Sequence, residues 1–338
     1  MYGLFTENGP FGISAEGKLY DRKYSWHINH NLIYIDNPVG TGFSFTDSDG
    51  GYAKNEKDVG RDLLEGLQQF FQLFPNLQAN EFFVTGESYA GKYVPAVSHA
   101  ILLDSRREET TSTKPKINLK GLAMGNGLTD PLHQIGCYGD YLYQLGLIDT
   151  NGHELFQKYQ TEGIECIKKR DFDCAFNVFD LLINMDQLPE GSLFKNLTGY
   201  NMYFNYLKTV DDDPTPLGDF LQSSDTRRAI HVGNNSWHDL EGENKVEEHL
   251  KQDVMDSVAD WVSELLSNYK VLIYNGQLDI IVAYPLTENY LKQLKFNGDE
   301  EYKTAKRYIW KVDGEVAGYA KHAGNLTEVL VRNAGKFD

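Results

Sequence analysis

Glu81-Phe-Phe-Val-Thr85-Gly86-Glu87-Ser88-Tyr89-Ala90-Gly91 passes from an apolar run that reads as a buried strand, through a turn at Gly86, into a helical pattern that continues to about Leu103. A serine between a strand and a helix, with small residues two before it and two after, fits the nucleophile elbow, although Ala90 replaces the second glycine of G-x-S-x-G. The spacing has a steric cause: so tight a bend leaves no room for bulk at Gly86 and Ala90. In return the Ser88 hydroxyl projects above the sheet. The Tyr89 backbone N–H and the positive end of the helix face the same space, where they can stabilise an oxyanion. The plainer alternative is a helix capped near Ser88.

Working outward, short apolar runs alternate with helical patterns, the signature of a mixed, mostly parallel sheet flanked by helices in an α/β fold. Strands are expected at Asn31–Asp36, Glu81–Thr85, Ile117–Met124, Lys270–Tyr274, Arg307–Val312 and Glu328–Arg332. Between Asp58 and Phe74, Val59, Leu63, Leu67, Phe70, Phe71 and Phe74 recur at steps of three and four, one face of a helix. Asp104–Lys116 reads as a polar surface loop. From about 130 to 254 the texture turns rich in Tyr, Asn, Gln and Asp, with a turn-forming Asp211-Asp-Asp-Pro-Thr-Pro216. The expected organisation is an α/β core of residues 1–129 and 255–338, with 130–254 a largely helical cap over the active site.

A serine hydroxyl needs a base, and the base needs an acid to orient it. In this fold class the order is Ser, Asp, His, each on a loop after a strand. Asp279 stands in that place, across a turn from Lys270–Tyr274. The histidine should follow the last strand, but Asn333-Ala-Gly-Lys336-Phe-Asp338 has none. His322, the nearest, is expected ahead of that strand in a polar turn. A lysine such as Lys336 serves as a base at neutral pH only when its pKa falls far below the usual value.

Charge narrows the function classes. With 32 Lys+Arg against 49 Asp+Glu, the net charge of −17 argues against nucleic acid and anionic membrane as partners. Protonating the 9 His would leave about −8, which suits an acidic compartment as well as it suits plain solubility. Three cysteines, Cys137, Cys166 and Cys174, allow at most one bridge; Cys166 and Cys174 lie close enough to pair. No C-x-x-C spacing suggests zinc, and neither metal nor cofactor is expected. Asn196, Asn234 and Asn325 begin N-x-S/T sequons, candidate glycosylation sites. No apolar run is long enough to span a bilayer, and residues 1–10 lack the form of a signal peptide, so an exported protein would need a longer precursor.

Gly86-Glu-Ser-Tyr-Ala-Gly-Lys-Tyr-Val-Pro95 closely resembles the serine carboxypeptidases. So do Glu7-Asn-Gly-Pro10, Ile35-Asp-Asn-Pro-Val-Gly-Thr-Gly-Phe-Ser44, Gly125-Asn-Gly127 and Tyr274-Asn-Gly-Gln-Leu-Asp279. The resemblance covers nearly the whole chain and looks most like the vitellogenic and insect venom type. It implies an α/β-hydrolase fold, an exported or lysosomal location, and removal of single residues from peptide or protein C-termini. Ser88 then matches the nucleophile, Asp279 the triad acid and the Tyr89 N–H an oxyanion donor. Glu7 and Glu87 match the pair that reads the substrate's terminal carboxylate. Two carboxyls held close cannot both ionise, so one keeps a proton to donate, and an acidic optimum is expected.

The match departs at both ends. The family's Gly-Gly-Pro-Gly stretch is absent upstream of Glu7, and Gly335-Lys336 stands where the family reads Gly-His. A truncated or mis-spliced gene is the expected cause, with negligible peptidase activity in the chain as written. Two other classes compete: a carboxypeptidase-like acyltransferase and a non-catalytic homologue that binds peptides or a partner. Family members occur as monomers and as homodimers, and the sequence does not choose between them.

Overall fold

The computed structural model describes residues 1–107, 114–184, 191–210, 215–238 and 245–337. Part of the expected loop at Asp104–Lys116 and of the turn at Asp211–Pro216 lies outside them. Contacts divide the chain into residues 1–54 with 211–250, and residues 55–210 with 251–338.

In the first unit, β1 (Phe11–Ile13) and β2 (Leu19–Asp21) form an antiparallel hairpin. Phe5, Ile13 and Phe43 pack with Leu217 and Leu221 from a short helix at Leu217–Gln222. The strand expected at Asn31–Asp36 does not form: these residues have no ladder partner among the described residues, and Ile33 and Ile35 are exposed. An alternating apolar pattern specifies a face, but a strand also needs a neighbour for its backbone N–H and C=O groups.

The second unit holds the main sheet. Asn55 caps α1 (Glu56–Leu73), its side chain accepting from the N–H groups of Lys57 and Asp58. Leu67 and Phe71 on that helix pack with Val97, Ile101, Ile117 and Leu119, whereas Phe74, expected on the same face, is exposed beyond the helix end. β3 (Phe82–Glu87) leads into α2 (Ala90–Ser105); β4 (Leu119–Gly125) and β5 (Lys270–Gly276) follow. The sheet is completed by β6 (Tyr308–Val312), β7 (Glu315–Ala323) and β8 (Leu326–Val331). The strand order is β3-β4-β5-β8-β7-β6, parallel from β3 to β8 and antiparallel beyond.

β7 is not among the expected strands, and it moves His322 from a turn to an exposed strand position, where Nδ1 lies 3.0 Å from the Thr327 hydroxyl. Its signal in the sequence is the Asp313-Gly314 pair, both at positive φ, the residues a two-residue hairpin turn favours. Among the described residues of 130–254, every regular element is a helix. Cys166 and Cys174 form a disulfide between the helices Thr150–Lys168 and Phe172–Phe179, and Cys137 is free.

Pro95 lies inside α2 and cannot donate to the carbonyl of Gly91. The Thr129 hydroxyl takes that place, donating to Gly91 O at 3.0 Å in the interior. Asn196, Asn234 and Asn325 are all exposed, and the Asn325 side-chain amide donates to Leu266 O at 2.9 Å.

Candidate active site

The bend between β3 and α2 is held from several sides. Ser88 N–H donates to Gly125 O at the end of β4, and Ser88 O accepts from Leu128 and Gly91, all at 3.0 Å. Ser88 itself sits at φ 61°, a left-handed conformation that costs a residue with a side chain about 1–2 kcal/mol. The small neighbours have contacts that require them. A Cβ on Gly86 would fall 2.5 Å from the Ala90 Cβ and 2.9 Å from Val94, so Ala90 fits only because Gly86 has no side chain. A Cβ on Gly91 would fall 2.6 Å from Leu128 N. Tyr89 leads directly into the first turn of α2. Glu87 ends β3, half-buried and in register with Gly125.

Asp279 lies at the same edge of the sheet, in the turn after β5, with no exposed surface. Its Oδ2 accepts from the Asn126 amide at 2.8 Å and from Val282 N–H at 3.2 Å. Lys336 Nζ lies 3.7 Å from the same oxygen. Asn126 is the clamp: at φ 43° between two glycines, it also accepts from Gly276 N–H at 3.0 Å. Because Ser88 N–H is bonded to the residue just before Asn126, Ser88 and Asp279 are tied to one corner of β4. The phenol of Tyr141 donates to the Gln277 and Asp279 carbonyls, bracing the turn from outside.

Burial raises the pKa of Asp279; the Lys336 ammonium pulls it back, as do the Asn126 amide and the N–H groups of Val282 and Ile281. The corner remains under-bonded: Asp279 Oδ1 and Lys336 Nζ find no hydrogen-bond partner among the described residues. Lys336 is enclosed with 1% of its side chain exposed, its backbone N–H on Phe204 O. In the sequence Asn126 stands out only as part of Gly125-Asn-Gly127; a residue tolerant of positive φ between two glycines is the available signal.

Glu7 belongs to the first unit. Its backbone carbonyl accepts from Arg22, and burial pushes its carboxyl pKa up, against the positive charges of the amino terminus and Arg22. Among the described residues, no group of three or more His, Cys, Asp or Glu could hold a metal ion, and no helix is long and apolar enough to cross a membrane.

Comparison with known proteins extends these observations. A family profile described as serine carboxypeptidase matches residues 1–337. The venom serine carboxypeptidase of Apis mellifera is 58% identical over 99% of this chain and 70% of its own length. The vitellogenic carboxypeptidase of Aedes aegypti is 51% identical with the same coverage, and the human probable serine carboxypeptidase CPVL 47%. A solved prohormone-processing carboxypeptidase from Saccharomyces cerevisiae, 23% identical, covers 100% of this chain and 76% of that one with a TM-score of 0.80. That likeness shows a shared α/β-hydrolase fold.

Proposed function

The chain belongs to the serine carboxypeptidase family, and from that premise we propose that its site receives the C-terminus of a peptide or protein, with Ser88 as nucleophile and Asp279 as the acid of the triad. The observation that carries this reading is the strained Ser88, bonded through the end of β4 to the clamp that holds Asp279. Ser88 Oγ attacks the last peptide carbonyl and gives its proton to a base, while the Tyr89 N–H receives the oxyanion. Collapse breaks the C–N bond, the departing amine takes the proton, and water then releases the acyl group. Glu7, with its pKa raised by burial, donates to the substrate carboxylate while protonated and repels it once ionised. Glu87 is assigned the same task. Activity therefore belongs at acid pH and falls as pH rises.

The group facing Asp279 in this chain is the Lys336 ammonium. An ammonium donates only and has no lone pair with which to take the Ser88 proton. Turnover by the 338-residue chain is accordingly set about 10⁴–10⁶ below that of a complete triad. The same ion pair favours the second reading, a peptide binder without turnover. The Cys166–Cys174 bridge and the exposed Asn196, Asn234 and Asn325 support an exported or lysosomal, glycosylated protein.

The deciding experiment measures release of the last residue from an N-blocked dipeptide, together with fluorophosphonate labelling of Ser88, for the wild-type chain and Lys336→His. The expected result is background turnover in the wild type and a gain of at least about 10²-fold in the variant. Should Lys336→His neither label nor turn over, the hydrolase reading fails. A wild-type chain working near the rate of an intact relative would remove Lys336 as the cause.

A further inference from the structure

Beneath the elbow lies a second charged cluster that the proposed reaction does not use. Lys92, in the first turn of α2, is fully buried; its Nζ lies 2.8 Å from Asp253 Oδ2 and donates to the backbone carbonyls of Asp253 and Asp256. The Tyr89 phenol donates to the same Asp253 oxygen at 3.2 Å. The other oxygen of Asp253 accepts from Glu56 N–H, also at 3.2 Å, at the start of α1. Glu56 is 2% exposed, and neither of its carboxyl oxygens finds a hydrogen-bond donor among the described residues. A helix N-terminus has no steric need for a buried carboxyl without a donor, and burying one unbonded is costly.

We propose that Glu56, acting through Asp253 and Lys92, is a positioning residue for Tyr89, and so for the backbone N–H next to Ser88. This rests on the reading of Ser88 as the nucleophile. The charge count gives the mechanism. Lys92, Asp253 and a protonated Glu56 sum to zero; once Glu56 ionises, the buried cluster carries an unbalanced negative charge. The groups that face Glu56 are Lys92, Tyr89 and Tyr93 from the α2 side and Asp253 from residues 251–254. Burial raises Glu56 well above the ordinary carboxyl range; Lys92 opposes this, and the charge of Asp253 adds to it. Two adjacent carboxyl groups can bond only while one holds a proton. Tyr89 and Tyr93, pushed well above the usual phenol range by burial, stay neutral throughout. The Glu56 N–H holds one oxygen of Asp253, and the other oxygen holds Tyr89. Ionisation sets two like charges against each other directly behind the residue that carries the oxyanion donor.

Hydrogen exchange of residues 86–93 in the full chain, at about pH 5 and about pH 8, tests this without requiring turnover. Wild type and Glu56→Gln should match within about twofold at the lower pH. At the higher pH the wild type should exchange about tenfold faster, the ratio carried by one unit of titration difference. Tyr89→Phe keeps both carboxyls but cuts their link to the elbow. Introduced into the wild type and into Glu56→Gln alike, it should abolish the pH-dependent difference between the two. Wild type and Glu56→Gln tracking each other at both pH values overturns the proposal. So does an exchange difference that leaves Ser88 phosphonylation in step when the variants are compared in the Lys336→His background. Phosphonylation absent from every variant, Lys336→His included, sinks the assignment of Ser88 instead, with the exchange result still judging whether Glu56 positions Tyr89.

Discussion

Two corners of one sheet edge are built on opposite terms. At the Ser88 corner the side chains are small, the backbone bonds are filled, and the strain sits in a single dihedral angle. At the Asp279 corner a carboxyl and an ammonium are enclosed together, with oxygen and nitrogen atoms left unbonded among the described residues. The first corner is held by shape, the second by charge. Damage should therefore differ in kind: steric and local at Ser88, electrostatic and pH-dependent at Asp279.

The largest effect is expected from Lys336→Met. Removing one partner of a buried pair leaves an uncompensated charge and costs about 3–5 kcal/mol near neutral pH. Burial already raises the Asp279 pKa, and losing the ammonium removes the main opposing influence, so the folded pKa rises further. A carboxyl whose folded pKa exceeds the unfolded value favours the fold most at low pH. The deficit should shrink below about pH 4 and grow as pH climbs through the raised value. Urea denaturation midpoints across that range are the measurement. A deficit of equal size at both extremes would mean that Lys336 acts by packing against Phe204, and the contrast between the corners would dissolve.

A smaller loss is expected from Thr129→Val. In α2 the Gly91 carbonyl would normally accept from the residue four positions on, which is Pro95 and has no N–H. The Thr129 hydroxyl substitutes for it. Deleting that donor while keeping the shape leaves a buried carbonyl unbonded, about 1–3 kcal/mol. Unlike the Lys336 change, the loss should be the same at every pH. A pH-dependent loss would show that charge reaches the Ser88 corner after all.

The same contrast explains what the sequence disclosed. Gly86, Ser88, Ala90 and Gly91 lie within six consecutive positions, and their spacing follows from a steric rule that acts over one turn. Asp279 is legible by its place after β5, which topology supplies. Asn126 meets Asp279 across 153 positions, and Tyr89 meets Asp253 across 164, so no local pattern records either contact. Glu56 reads as an ordinary charged residue before a helix; only the fold shows it buried. The mistaken strand at Asn31–Asp36 and the missed β7 share one cause. Strand formation is decided by a neighbour, and the side-chain pattern along one segment does not reveal whether the neighbour is there.

The smallest effect should come from Ser88 itself, and its sign is the informative part. Glycine usually destabilises a regular element relative to alanine, by roughly 0.5–1 kcal/mol. At φ 61° the order should invert, because alanine must bear the left-handed conformation while glycine enters it freely. Ser88→Gly is therefore expected to be more stable than Ser88→Ala by about 1 kcal/mol, although neither can be phosphonylated at position 88. The comparison isolates the backbone, since both variants lack the hydroxyl and among the described residues Ser88 bonds through its N–H and C=O. Equal stabilities would mean that the bend relaxes once the serine is gone. The strain would then belong to the side chain, and the Ser88 corner would not be held by shape.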